Sequence, residues 1–205
     1  MSIYALDVES TGLANHPTRG HPKVIELAII PLNTSMDVLL TFIASNPIDF
    51  VIDQLVSDGD VERFRPSMKI DKRATEVHGI MYRDLHGCES STKAILPQDT
   101  EYIVGHNIQY DYRCLGKPEG IKRVCTLNLA KKLDKKFGIG FKNHKLDTLI
   151  LYYYGEDARD LVDNSHAALY DTVKVILLLA KLVEFIPNVS TVEELYDFQE
   201  LLKKK

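Results

Sequence analysis

Two acidic residues, Asp7 and Glu9, lie at the end of the first apolar run of the chain, within the stretch IYALDVESTGL at residues 3–13. The run contains β-branched and aromatic residues and a Ser-Thr-Gly turn follows it, which predicts a strand. Because residues two apart on a strand share one face, both carboxylates project the same way. Adjacent carboxylates repel each other, and a divalent cation removes that repulsion. The pair is a candidate metal site, with a solvated edge strand as the alternative.

Two more acids follow apolar runs further along the chain. Asp111 ends the segment HNIQYD after a short predicted strand, and Asp171 ends HAALYD at the start of the longest apolar helix pattern. Four carboxylates of this kind match the demand of two hard divalent ions, which take oxygen ligands. Two such ions about 4 Å apart suit in-line attack on a phosphate. The acids therefore predict a site for phosphate-ester hydrolysis.

A histidine accompanies the last of these acids. His166 precedes Asp171 by five residues, a spacing that on a helix separates two side chains by about 140°. If the two cooperate, His166 must lie in the loop or first turn before the helix. A neutral imidazole can accept a proton from a metal-bound water. A surface histidine at a helix start is the alternative.

The segments DVESTG, HNIQYD and HAALYD, in this order, resemble the three motifs of the DEDDh superfamily of 3′-to-5′ exonucleases. ATEVHGI at 74–80 resembles the segment between the first two motifs. The resemblance spans roughly residues 3–185 and is nearest to exonuclease X and the ε proofreading subunit of bacterial DNA polymerase III. Val8, Ser10 and Tyr110 depart from the usual threonines and phenylalanine, and none is a proposed metal ligand.

The resemblance implies a role for each of these residues. Asp7 would bridge two divalent cations, Mg²⁺ or alternatively Mn²⁺, with Glu9 and Asp171 on the ion that holds the nucleophile. Asp111 would serve the second ion, largely through water, and His166 would be the general base. The resemblance also implies contacts to the terminal nucleotide from Ser10, Thr11, Gly12, Leu13, His78 and Asn107.

The implied fold is α/β and ribonuclease H-like, with a five-stranded mixed sheet flanked by helices. The apolar runs predict strands at residues 3–9, 23–32, 37–44, 101–105 and 122–125. Helices are expected from Asn107, over 126–137, 144–154 and 167–186, and after a capping box at 190–193. Residues 46–60 fit either a helix or a strand, and residues 156–163 are expected to form a solvated loop.

The composition bounds the class of protein. A chain of 205 residues with 45% hydrophobic content predicts one domain, here an exonuclease domain at 1–187 with an appended amphipathic helix at 188–205. A formal charge of −4 argues against a protein that coats nucleic acid, since such proteins have a strongly basic surface. It is compatible with a nuclease whose acidic residues bind metal ions. Three cysteines without zinc-type or redox-type spacing, no signal peptide and no membrane-length apolar run predict a soluble cytoplasmic protein without a membrane partner.

The sequence therefore predicts a metal-dependent 3′-to-5′ exodeoxyribonuclease that releases nucleoside 5′-monophosphates. Its expected partner is the 3′ end of a nucleic acid. The resemblance favours DNA, because none of the motif residues named above is expected to recognise the 2′-hydroxyl of RNA. Two alternatives stay open: an exoribonuclease of the RNase T or oligoribonuclease kind, and a binding subunit that docks to a polymerase or other replication protein through its C-terminal helix. A homodimer is also open.

Overall fold

In the part of the chain that the structure describes, six strands form a mixed sheet at the centre of the molecule, flanked by helices. The computed structural model describes residues 2–12, 21–33, 35–164 and 167–203. The strands are β1 (Ser2–Ser10), β2 (Val24–Leu32), β3 (Asp60–Arg65), β4 (Glu89–Ser90), β5 (Thr100–Gly105) and β6 (Lys122–Cys125).

The helices form where apolar residues recur at the period of a helix. Within the described part of the chain, none of them combines the length and the apolar content that crossing a bilayer requires. The helices are α1 (Met36–Ser45), α2 (Ile48–Ser57), α3 (Lys72–His78), α4 (Gln109–Cys114), α5 (Thr126–Phe137), α6 (Leu146–Tyr154), α7 (Arg159–Asp163), α8 (Ala168–Val183) and α9 (Val192–Lys203).

The strand order is β4-β3-β2-β1-β5-β6, which makes β1 a central strand. It pairs antiparallel with β2 and parallel with β5, and β5 continues in parallel to β6. Side chains of β1 alternate between two apolar layers: Ile3 and Ala5 join the main core, while Leu6 and Val8 pack on the opposite face. Asp7 and Glu9 continue the row of Ala5 and project toward the main core.

Helix α8 fills that main core. Twelve of its sixteen residues are buried, and it packs on β1, β2 and α6. A helix that is apolar on nearly all sides is expected only where other elements surround it. The first turn of α8 therefore lies over the end of β1, next to the two acids of that strand.

The predicted mixed sheet flanked by helices is confirmed, whereas the count of five strands and the strand at 37–44 are wrong. Residues 37–44 belong to α1, since Met36 and Leu39 are buried and Leu40 and Ile43 complete a helical spacing. The third strand of the meander is β3, which pairs antiparallel with β2. The two-residue strand β4 pairs with β3 and brings the total to six.

Smaller boundaries also differ from expectation. The undecided segment 46–60 forms α2, and the expected loop at 156–163 is a 3-10 turn followed by α7, because Ala158 and Leu161 are buried in the main core. The helix expected from Asn107 begins at Gln109. The capping box before α9 lies one residue later than expected, between Thr191 and Glu194.

Helix α9 closes the open edge of the sheet at β6. Val192 and Leu195 are fully buried in the main core. The buried amide of Gln199 bonds the edge strand directly: its Oε1 accepts the Cys125 N–H at 2.7 Å and its Nε2 donates to the Arg123 carbonyl at 2.9 Å. One side chain thus replaces the neighbouring strand that an edge otherwise lacks.

Replacing Gln199 by Leu should destabilise the protein by about 2 kcal/mol, because a buried backbone N–H and carbonyl lose their partners while the side-chain volume is kept. The measurement is urea-induced unfolding. Gln54→Leu is the control, because the exposed Gln54 side chain donates only to the Asp58 carboxylate among the described residues and its replacement should cost less than about 0.5 kcal/mol. Equal stability of the two variants would contradict the role given to Gln199.

Candidate metal centre and nucleotide pocket

Three carboxylates converge where β1 meets the start of α8. Asp7 and Glu9 project from β1 toward the main core, and Asp171 lies in the first turn of α8. One carboxylate oxygen from each of the three lies within 4.8 Å of the others. The two-residue spacing on a central strand and the packing of α8 on that strand together produce this cluster.

Asp111 stands beside the cluster and is bonded to the same strand. The pairing of β5 with β1 ends at Ala5, and beyond that point the Val8 N–H donates to Asp111 Oδ1 at 3.3 Å. Asp111 is only 3% exposed. The structure therefore brings Asp7, Glu9 and Asp171 together, with Asp111 anchored to the backbone between Asp7 and Glu9.

Burial and mutual repulsion raise the pKa values of these acids. Burial, then the charges of Asp111, Asp171 and Glu9, hold the pKa of Asp7 well above its usual range. Burial, followed by neighbouring carboxylates, raises the pKa of Glu9 to about 8. Burial raises the pKa of Asp111 to about 7, against hydrogen bonds that lower it. Near neutral pH the cluster retains protons that a cation can displace, and its all-oxygen donor set fits Mg²⁺ or Mn²⁺.

A buried lysine that sequence reasoning missed completes this region. Lys174, three residues after Asp171 on α8, has its Nζ 2.5 Å from Asp171 Oδ1 and 2.6 Å from Asp147 Oδ1 of α6. Its side chain is 1% exposed. A charged residue within the apolar pattern of the long helix is the sequence signal that could have indicated it.

Glu26 anchors the start of α8 to the sheet. It lies opposite Glu9 in the pairing of β1 with β2, and its Oε2 accepts the Arg63 Nε–H at 2.7 Å. Its Oε1 accepts the Ala168 N–H, at the first residue of α8, at 3.3 Å. A carboxylate at a helix N-terminus is favourable. This bond fixes the turn that carries Asp171; His166, the predicted base, lies outside the described residues.

A cavity of about 570 Å³ opens beside Glu9. Of the predicted substrate contacts, Ser10, Gly12, His78 and Asn107 line it, together with an apolar wall from α3 that includes Ala74 and Val77. The size and the mixture of apolar and polar groups are typical of small-ligand pockets, which measure about 300–1,000 Å³.

The other two predicted substrate contacts, Thr11 and Leu13, are not among the described residues that line the cavity. Thr11 is buried, and its Oγ1 accepts the Lys23 N–H at 3.0 Å and donates to the Met68 sulfur at 3.4 Å. Its side chain therefore stabilises the turn after β1 and does not line the cavity. Leu13 lies outside the described residues.

Asn107 and His78 are held in defined conformations at the cavity. Asn107 has a φ of 66°, in the left-handed region that asparagine adopts more readily than most other residues. His78 Nδ1 accepts the Ile80 N–H at 3.0 Å. In the neutral ring the proton must therefore be on Nε2, which makes that atom a donor.

Ser10 and Tyr110, which depart from the motifs that the sequence resembles, contact each other at the same cavity. The hydroxyls of Ser10 and Tyr110 are 2.5 Å apart, and the Tyr110 hydroxyl donates to the Gly12 carbonyl at 2.7 Å. Since the Tyr110 proton goes to that carbonyl, Ser10 is the donor in the contact between the two hydroxyls, and its Oγ lies 3.1 Å from the same carbonyl. The turn after β1 is thus bonded to α4, and neither residue is among the clustered carboxylates.

No protein-family model matches the sequence, and no curated protein matches it either. Solved structures with the same fold do exist. Exonuclease X in complex with 5′ overhanging duplex DNA is 19% identical with a TM-score of 0.61, over 96% of this chain and 99% of that chain. E. coli exonuclease I in complex with a dA16 oligonucleotide is 15% identical with a TM-score of 0.58, over 96% of this chain.

This chain spans only 42% of the length of exonuclease I. The nuclease domain of 3′hExo, a DEDDh family member bound to rAMP, is 15% identical with a TM-score of 0.51, over 89% of this chain and 92% of that domain. These similarities show that the chain has the ribonuclease H-like fold on which DEDDh exonucleases are built. The predicted α/β, ribonuclease H-like fold is therefore confirmed, apart from the number of strands.

The raised pKa values predict that the cation-free protein loses stability as pH rises. The folded state binds these protons more tightly than the unfolded state, whose pKa values are 4.5 for Glu9 and 3.8 for Asp111. The resulting stabilisation is complete below about pH 4 and is lost as pH rises through about 7 to 8. Asp7→Asn removes one carboxylate from the cluster, so in chelator it should raise the thermal midpoint at pH 8 by at least about 2 °C and have little effect at pH 5.

Asp99→Asn is the control for this titration. A hydrogen bond from Ser2 lowers the pKa of the exposed Asp99, so its replacement should bring no gain in stability at pH 8. A pH-independent difference between Asp7→Asn and the unmodified protein would show that the clustered charges do not repel.

Proposed function

We propose that this protein is a metal-dependent 3′-to-5′ exonuclease of the DEDDh class that releases nucleoside 5′-monophosphates. The observation that carries the proposal is the convergence of Asp7, Glu9 and Asp171 within 4.8 Å, with Asp111 bonded to the Val8 N–H between the first two. The same four acids occupy the positions of the family motifs in the sequence. Their convergence on a ribonuclease H-like fold supports hydrolysis of phosphodiesters.

Asp7, Glu9, Asp111 and Asp171 would hold two divalent cations, Mg²⁺ or Mn²⁺. When bound, such ions activate a water and stabilise the leaving oxygen of a phosphodiester. The carboxylates of β1 and α8 give the site its negative charge, and the buried sheet beneath them keeps their positions fixed.

His166 is proposed as the general base. It directly precedes Ala167, the N-cap of α8, and Asp171 follows in the first turn of that helix. Glu26 of β2 accepts the Ala168 N–H at the start of α8 and pairs with Arg63 of β3. A neutral imidazole there would accept the proton of the attacking water.

The cavity beside Glu9 is proposed to hold the 3′-terminal nucleotide. Ala74 and Val77 offer an apolar surface against which a base can stack, and Ser10, Gly12, Asn107 and His78 offer polar groups for the sugar and phosphate. Thr11 would contribute indirectly, through the hydrogen bonds that stabilise the turn after β1. Leu13 is proposed to contact the base of the nucleotide. DNA is the proposed substrate.

An exoribonuclease is the second candidate, because the 3′hExo nuclease domain of similar fold is bound to rAMP. A further neighbour, 13% identical with a TM-score of 0.55, is a 3′-exonuclease that recognises the 3′ end of a histone mRNA stem-loop. Docking to a polymerase through the C-terminal helix is not favoured, because Val192 and Leu195 of α9 are buried in the chain's own core. The three free cysteines accord with the proposed cytoplasmic location.

The proposal predicts stepwise shortening of 5′-labelled oligonucleotides from their 3′ ends, with nucleoside 5′-monophosphates as products. Single-stranded DNA, duplex DNA and RNA should be compared in Mg²⁺, in Mn²⁺ and in excess chelator, which should abolish hydrolysis. Asp171→Asn should lower the rate at least about 10²-fold, while the exposed Asp163→Asn should match the unmodified protein. Internal cleavage, or full activity in chelator, would refute the proposal, and faster shortening of RNA would favour the second candidate.

A separate variant tests the base. His166→Ala should lower kcat by about 10² to 10⁴ while Mn²⁺ affinity is kept, because a general base is lost and no ligand is removed. Exposed His86→Ala is the matched control and should leave kcat unchanged. Near-normal turnover of His166→Ala would remove this residue from the mechanism, and a loss of Mn²⁺ affinity would instead indicate a ligand.

A further inference from the structure

We propose that Lys174 is a built-in counter-ion of the carboxylate cluster, which stabilises the cation-free site and weakens its affinity for divalent cations. The inference deepens the proposed function and rests on it, since it concerns the same four acids. It assigns a role to a residue outside the motifs that identify the site.

The first observation is the burial of the lysine. Lys174 is completely buried, and its neighbours Val173 and Val175 on α8 are fully buried as well. An ammonium group in such surroundings is strongly unfavourable unless acids pair with it. The described structure provides two, Asp171 Oδ1 at 2.5 Å and Asp147 Oδ1 at 2.6 Å.

The second observation is how the contact divides the two oxygens of Asp171. Oδ1 is completely covered and accepts no hydrogen bond from the described residues, so its contact with Lys174 is an ion pair. The side chain of Asp171 nevertheless keeps 16% exposure, which must belong to its other atoms. Lys174 therefore contacts the covered side of this carboxylate, while other atoms of the side chain remain accessible.

The third observation is the reach of the charge. A carboxylate oxygen of Asp171 lies within 4.8 Å of one from Asp7 and one from Glu9, and Lys174 has its Nζ 2.5 Å from Asp171 Oδ1. Its positive charge therefore acts on the whole cluster and not only on Asp171. In the absence of a cation this attraction offsets part of the carboxylate repulsion.

The same charge repels a cation bound at the cluster. Coulomb repulsion scales with the product of the charges, so a divalent cation is affected twice as strongly as a monovalent one. A lysine that only positioned Asp171 would strengthen cation binding, whereas a counter-ion weakens it. The sign of the change in cation affinity on removing the charge thus separates the two roles.

The test is Mn²⁺ affinity of the full chain after removal of bound metals by chelator, measured by titration with electron paramagnetic resonance detection. Lys174→Met, which removes the charge and keeps the length, should bind Mn²⁺ about 10-fold more tightly. The thermal midpoint of the same variant in chelator should fall, because Asp171 and Asp147 lose their counter-charge.

Lys181→Met is the matched control. Lys181 lies two turns further along α8 and pairs with Glu184 at 2.8 Å, three residues away, just as Lys174 pairs with Asp171. At about 10 Å from Lys174 along the helix axis, its removal should leave Mn²⁺ affinity unchanged. An equal increase in both variants would indicate a general effect of net charge and would overturn the proposal.

Asp147→Asn keeps the proposal testable if Lys174→Met fails to fold. This variant leaves the ammonium with Asp171 as its charged partner, so Mn²⁺ affinity should fall several-fold. Unchanged or tighter binding by Asp147→Asn, or unchanged or weaker binding by a folded Lys174→Met, would overturn the inference. Failure of the unmodified protein to bind Mn²⁺ would instead overturn the proposed function, and the inference with it.

Discussion

Repulsion among carboxylates that cannot move apart is the constraint on which this site depends. Asp7 and Glu9 are fixed by the pairing of β1 with β2, and Asp171 is fixed because α8 is packed over that strand. The sheet must remain intact for the core to stay buried, so the acids cannot relax without unfolding. A proton, a cation or the buried Lys174 must therefore balance the charge.

The surrounding residues each compensate one part of this repulsion. Arg63 pairs with Glu26, the carboxylate opposite Glu9, and Glu26 in turn bonds the first turn of α8. Asp111 accepts a hydrogen bond from the Val8 N–H, which stabilises its carboxylate form. These contacts join β1, β2, β3, α4 and α8 around one point, so the geometry of the site is a consequence of the fold as a whole. Such preorganised charge is what phosphate chemistry requires.

The sequence predicted the residues whose signals are local, and it missed those that depend on distant partners. The two acids of β1 and the acids that follow the later apolar runs lie near one another, as their spacing and motifs indicated, and their roles stay predictions. The 37–44 segment was misassigned because short apolar runs fit a strand or a helix equally well. Gln199 gains its role from partners 74 and 76 residues away, which no local pattern records. The role of Lys174 depends on Asp147, 27 residues away, as well as on Asp171.

The central claim is that the cluster of Asp7, Glu9 and Asp171 binds divalent cations. Anomalous diffraction from crystals grown with Mn²⁺ and a nucleoside 5′-monophosphate tests it most directly, because it locates the metal without any assumption about activity. The account predicts anomalous peaks in contact with these three carboxylates and with the phosphate of a nucleotide in the cavity beside Glu9. Peaks confined to other surfaces, with these carboxylates unliganded, would contradict it.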